Sequence, residues 1–184
     1  MKIKHELTSE QADCLERLRG LNRAELKQEY RGLKPPQLTD ITGEFEAELL
    51  CQGGAFSEVL TRRLLNSYGQ WIGKAFEPTS EEAGFGYTCF GKGEEVVANL
   101  TSTIRIGPSL TGTGSAMLIE YPSSRGMARL MADEVRQMCP GLLLGIGTYG
   151  VKLGQRDRWR RKMPFALLGP VRPLQLIQAH SKAA

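Results

Sequence analysis

In the stretch Val96-Val97-Ala98-Asn99-Leu100-Thr101-Ser102-Thr103-Ile104-Arg105-Ile106, apolar and small residues recur at every second position. Val96, Ala98, Leu100, Ser102, Ile104 and Ile106 share one side, while Val97, Asn99, Thr101, Thr103 and Arg105 share the other. Side chains alternate across a strand, so this pattern predicts a β-strand between two unlike surroundings. The same period governs Ile41 to Leu49. There Ile41, Gly43, Phe45, Ala47 and Leu49 fall on one face, and Thr42, Glu44, Glu46 and Glu48 on the other. Further strands are expected over Gln70 to Phe76, Phe85 to Phe90, Ser115 to Tyr121, Leu142 to Tyr149 and Phe165 to Leu168, most of them parted by turn-forming residues. Seven strands with little helix between the later ones favour an antiparallel meander, and closing it would remove its exposed edges. Phe45, Ala47, Leu100, Ile104 and Leu144 are the expected inner-face residues.

Outside the strands the period changes to that of a helix. Thr8 with Gln11 forms a capping box ahead of Cys14, Leu15 and Leu18, and Gly20 supplies the stop. Asn22 with Glu25 repeats the signal for a second helix through Leu26 and Tyr30 to Gly32, before Pro35 and Pro36. A third helix is expected after Ser57 through Val59, Leu60, Arg63, Leu64 and Ser67, covering part of the sheet. Between Ser123 and Met138, the spacing of Met127, Leu130, Met131 and Val135 favours a helix followed by a strand entry at Val135 and Met138. The expected organisation is a helical arm at 1–36 packed on the same domain, then one barrel-like domain at 37–184.

Length and composition are those of a single globular domain: 184 residues, 41% hydrophobic and 24% charged. The apolar runs are strand-sized, well short of the roughly 18 residues that mark a membrane helix, and no apolar segment follows the basic start Met1-Lys2-Ile3-Lys4. A cytoplasmic location without a membrane span is therefore expected. Cys14, Cys51, Cys89 and Cys139 are far apart in sequence, and the two histidines, His5 and His180, lie near the ends. Neither a zinc site nor imidazole catalysis is expected, and no cofactor. The cations Arg156, Arg158, Arg160, Arg161 and Lys162, set against Asp157, supply by themselves the whole formal charge of +4. Nucleic acid is accordingly not the expected partner, although Trp159 among these cations gives two readings: a docking patch for a polyanion, or a loop folded over a barrel mouth. A homo-oligomer is compatible with the composition.

Two segments carry a resemblance. Trp71-Ile72-Gly73-Lys74-Ala75-Phe76 follows a helix, and Gly114-Ser115-Ala116-Met117-Leu118 leads through Asp133-Glu134-Val135-Arg136 to Leu143-Leu144-Gly145-Ile146-Gly147. Their order and spacing resemble a bacterial family of uncharacterised lipocalin-like proteins named for a Gly-x-Trp-x-Gly motif, which reads here as Gly43-Glu44-Phe45-Glu46-Ala47. The resemblance implies a mainly β fold, a lipocalin-like β-barrel with N-terminal helices and one or two covering helices, enclosing a pocket for a small apolar molecule. It transfers no catalytic residues.

Phe45, Trp71, Tyr87, Arg105, Glu120, Tyr121, Arg136 and Trp159 are the candidate ligand-binding residues. Trp71 either faces a cavity or plugs one end of the barrel. Arg105, Glu120, Asp133, Glu134 and Arg136 are charges set in or beside apolar strands, which either orient a polar head or face solvent. Three functions remain open at this point. One is a binding protein for a lipophilic ligand. Another is a cofactor-free isomerase, hydratase or cyclase using Glu120, Tyr121, Asp133 or Glu134. The third is an interaction module using the basic loop or the N-terminal helices, which would show an exposed apolar patch on those helices and no enclosed cavity.

Overall fold

The computed structural model describes residues 4–66, 69–92, 95–122, 130–149 and 161–174. Among the described residues three α-helices, α1 (Ser9–Gly20), α2 (Arg23–Gly32) and α3 (Ala55–Leu65), accompany eight strands: β1 (Gly43–Leu49), β2 (Gln70–Pro78), β3 (Ala83–Lys92), β4 (Glu95–Pro108), β5 (Ser115–Glu120), β6 (Met131–Cys139), β7 (Leu142–Tyr149) and β8 (Arg161–Arg172). Each strand pairs antiparallel with the next, and β8 returns to β1, so the sheet closes into a barrel without free edges. This is the mainly β fold, an antiparallel meander closed on itself, that the alternation favoured. No described helix is long and apolar enough to cross a membrane.

Both N-terminal helices begin at the capping boxes read from the sequence. Thr8 and Gln11 exchange hydrogen bonds at the start of α1, and Asn22 and Glu25 do so for α2. Their apolar stripes bury Leu15, Leu18, Leu26 and Tyr30 against the outside of the sheet, where Leu118, Leu142, Leu144, Ile146, Ala166 and Leu168 meet them. A second core fills the barrel: Phe45, Phe76, Ile104, Met117, Val135, Leu143 and Leu167 interlock inside it. The strands near β7 are thus buried on both faces. That is why Leu144, expected inside, lies instead on the outer face beneath the helices.

The three glutamates on the polar face of β1 each find a partner outside the barrel. Glu44 accepts a hydrogen bond from Tyr87 Oη and pairs with Arg172, Glu46 accepts the backbone N–H groups of Lys4 and His5, and Glu48 pairs with Arg19 at 2.7 Å. On the other face Phe45 packs 5.4 Å from Phe76 between ring centroids and lies against Gly169, where a Cβ would stand 2.7 Å from the ring.

Three expectations need correction. The long alternation of β4 does not run unbroken: its pairing with β3 slips between Gly86 and Thr88, and Leu100 takes a left-handed φ of 55°. A bulge adds one residue and swaps the faces beyond it, so Val96 and Ala98 pack with Tyr87 and Cys89 in a cluster outside the barrel, whereas Ile104 belongs to the inner core. Second, of the segment expected as a helix and strand entry, 123–129 lie outside the described residues and 131–139 form a full strand of the barrel. Met131 and Val135 point inward alongside Asp133, a strand spacing that coincides with a helical one over so short a run. Third, α3 leaves Phe56, Val59 and Leu60 exposed, and the side it buries, with Thr61 and with Leu65 against the inner core, sits at the end of the barrel.

Candidate functional site

Inward side chains pack solidly at one end of the barrel and stand apart at the other. The filled end holds Phe45, Phe76, Met117, Val135 and Leu143, with Leu38 and Ile41 entering from the turn before β1. At the opposite end, where β1 gives way to α3 and β7 ends at Tyr149, a cavity of about 540 Å³ opens. That volume is within the usual range for small-molecule sites.

Its wall is mostly apolar: Trp71 of β2, Phe90 of β3, Leu100 of β4, Met131 of β6, and Met163 and Phe165 of β8, with Leu60 and Leu65 of α3 at the rim. Trp71 is held edge-on to Phe165, with centroids 5.5 Å apart, and its indole N–H donates to the Gly73 carbonyl. Of its two readings, the residue takes the one on the cavity wall, with its polar atom satisfied within its own strand.

Lys74, Tyr121 and Asp133 form the polar floor. The register explains their convergence: Lys74 pairs with Phe45, and Asp133 pairs with Ile119, two inward residues, so each charge points into the barrel. Tyr121 lies two residues beyond Ile119 and has the same parity. The Lys74 ammonium is 2.7 Å from Asp133 Oδ2 and donates to Tyr121 Oη, and that hydroxyl in turn donates to Asp133 Oδ2 at 2.6 Å. Lys74 and Asp133 are each 4% exposed. The ammonium also lies 5.1 Å from the Tyr121 ring centroid and 5.8 Å from that of Trp71, within cation–π range.

This chain's fold is similar to a crystal structure of a protein from Thermomonospora curvata. The TM-score is 0.55 at 16% sequence identity, over 85% of this chain and 93% of that one. At this identity the likeness is one of fold. No family model matches the chain, and no curated protein does.

The sequence-derived candidates are not all brought together. Trp71 and Tyr121 line the cavity, whereas Phe45 belongs to the packed end. Tyr87 is on the outer face, bonded to Glu44. Arg105 and Glu120 pair at 3.0 Å on the outer surface, both more than 40% exposed. Arg136 is buried outside the barrel, stacked 4.6 Å from the Tyr30 ring centroid and donating to the carbonyls of Tyr30, Arg31 and Thr113. Glu134, beside it, accepts from Ser109, Thr111 and the Leu110 N–H. These last two anchor loop and helix to the sheet. The five charges once considered as one cluster thus separate, and Asp133 alone among them enters the cavity. Trp159 lies outside the described residues, as does most of the basic stretch. Lys74 was missing from the candidates, although its spacing from Phe76 within Trp71-Ile72-Gly73-Lys74-Ala75-Phe76 assigns both to one face.

Burial alone would lower the Lys74 pKa, but the Asp133 carboxylate and the Tyr121 hydroxyl reverse this and hold it above its ordinary value. Burial, then the charge of Asp133, raises that of Tyr121. Outside the barrel, burial pushes the Cys89 thiol up to about 12 from an ordinary 9.0. All three groups keep their protons in the folded chain at pH values where the unfolded chain releases them. Their contribution to stability is complete below pH 9 and declines as pH rises from 9 toward 12, the Cys89 part first. Urea midpoints measured over this range should fall with pH, and Cys89→Ala should flatten the onset of that fall. A midpoint rising across this range would contradict the assigned directions.

Proposed function

We propose that this protein binds a small lipophilic molecule inside its barrel, with the apolar body against Trp71, Phe90, Met163 and Phe165. The carrying observation is the cavity itself, an apolar chamber left open at one end of an otherwise packed barrel. Hydrophobic enclosure supplies affinity, and a few convergent polar groups supply orientation. Placing the chain with the lipocalin-like Gly-x-Trp-x-Gly family is part of the same proposal. In support, the two segments carrying that resemblance contribute Trp71 and Lys74 from one and Asp133 from the other.

Binding is favoured over proton-transfer catalysis by the state of the floor. Lys74 and Tyr121 both hold their protons more firmly than usual, which makes them poor shuttles near neutrality. The interaction-module alternative called for exposed apolar faces on the N-terminal helices, and α1 and α2 bury theirs.

Titration with an environment-sensitive apolar dye should give saturable binding of one dye per chain, and native mass spectrometry of protein taken directly from cells should show a copurifying small molecule. Met163→Trp, which places a larger ring in the chamber, should weaken dye binding at least about tenfold, or 1.4 kcal/mol. Dye binding unaffected by that substitution would remove the cavity from the explanation.

A further inference from the structure

We infer that the cavity floor selects a neutral polar head that both donates and accepts a hydrogen bond, a hydroxyl or a carboxamide on an apolar chain, over a carboxylate or an ammonium. The inference rests on the cavity being a binding site and concerns what that site prefers.

Charge balance carries the argument. Lys74 and Asp133 are the two ions buried at the floor, and they already neutralise one another across 2.7 Å, with Tyr121 bridging them as an uncharged phenol. Bringing a carboxylate or an ammonium into contact with this pair would leave one net charge in a desolvated space. That is costly when no further counter-ion is present. The other formal charge on the lining, among the described residues, is Arg63, which is exposed on α3 at the rim.

The remaining valences define what fits. An ammonium has three protons, and among the described residues Lys74 turns two of them to Tyr121 Oη and Asp133 Oδ2, which leaves one donor. Asp133 Oδ2 receives both Lys74 and Tyr121, whereas no described hydrogen bond reaches Oδ1. Gly147 stands opposite Asp133 in the β6–β7 register, and a Cβ there would come within 3.0 Å of Oδ1. The missing side chain keeps this oxygen open beside the cavity, which Gly147 also lines. One donor and one acceptor side by side match a group with the reverse pair, as a hydroxyl or primary amide has.

Displacement of the apolar dye by decanol, decanamide, decanoate and decylammonium at neutral pH tests this on the wild-type chain. The alcohol and the amide should bind at least about tenfold more tightly than either ion. Asp133→Asn, which leaves the lysine charge uncompensated, should move the preference to decanoate, and Lys74→Met should move it to decylammonium. Gly147→Ala should erase the advantage of the alcohol while leaving dye binding in place. Saturable dye binding combined with equal displacement by all four probes, no displacement, or tightest binding of an ion overturns the head-group inference alone. A decanoate preference lost in Arg63→Gln would put the head at the rim and overturn it too. Absence of saturable dye binding would instead defeat the proposed function. Should the floor variants fail to fold, the wild-type series decides by itself.

Discussion

Asp133→Ala should lower the free energy of unfolding by about 3–5 kcal/mol, the usual cost of removing one partner of a buried ion pair. The substitution takes away little apolar contact, and the loss comes from what remains: an ammonium 4% exposed, with the Tyr121 hydroxyl as its nearest described partner. Such a lysine escapes by giving up its proton. Without Asp133, burial should depress the Lys74 pKa, so the variant should gain stability as pH rises through that lowered value, a trend opposite to the alkaline decline expected of wild type. Replacing the pair together, as Lys74→Met with Asp133→Leu, should recover most of the loss, because apolar replacements of buried ion pairs are often neutral or stabilising. Urea denaturation of wild type, Lys74→Met, Asp133→Leu and the double variant, followed through tryptophan fluorescence, measures the coupling directly. A single-variant loss below about 1 kcal/mol would show that solvent reaches the pair. Recovery in the double variant together with lost discrimination among polar heads would mean the pair is kept for recognition, at no gain in stability.

How much of this was legible in the sequence depends on whether the two faces of a segment differ in polarity. Those of β1 do, although Glu44 and Glu48 are buried by their partners, and its alternation placed Phe45 and Ala47 inside and Glu44, Glu46 and Glu48 outside as the structure has them. The helix caps were equally readable, because a capping box is a local exchange of hydrogen bonds that needs no tertiary context. In β7, however, α1 and α2 cover the outer face while the inner core covers the other, so Leu142, Leu143 and Leu144 are all buried and parity carries no information about sides. In β4 the parity was clear but the bulge at Leu100 broke it, and a leucine in the left-handed region is a poor advertisement for a bulge.

The site was half visible for a related reason. Tyr121 and Trp71 are large and partly apolar, so reasoning about cores finds them. A lysine in a strand is ordinarily assigned to solvent. Only its sharing a face with Phe76, or its pairing with Phe45, puts the Lys74 charge inside. Asp133 was seen as a carboxylate but grouped with Glu134 and Arg136. Alternation separates them cleanly once 131–139 is a strand: Asp133 and Val135 turn inward, Glu134 and Arg136 outward. Misreading that segment as the end of a helix is what concealed the ion pair.

Gly73→Ala should be the most damaging small substitution in the sheet, costing about 3 kcal/mol or more, at or beyond the upper end for overpacking. A Cβ at this position would lie 1.9 Å from the Phe45 carbonyl oxygen and 3.4 Å from the Glu46 Cα, so the added methyl meets the backbone of β1 and no flexible side chain can yield. Relief requires β1 and β2 to separate where Glu46 pairs with Gly73, next to the Phe45–Lys74 pair. The consequence should extend to the cavity, because the Gly73 carbonyl holds the Trp71 indole N–H and Lys74 is the next residue along the strand. Gly91 on the neighbouring strand provides the control. There the nearest atom to an added Cβ would be Ile72 Cγ2 at 3.4 Å, an ordinary contact. Gly91→Ala should therefore change stability by less than about 1 kcal/mol, its lost unfolded-state entropy even favouring the alanine. Paired denaturation and dye-binding measurements on the two variants separate a general intolerance of alanine in this sheet from the close approach at Gly73. Equal losses in stability would refute the close approach. A large loss at Gly73 alone, accompanied by weakened dye binding, would tie the packing of β1 on β2 to the placement of Trp71 and Lys74.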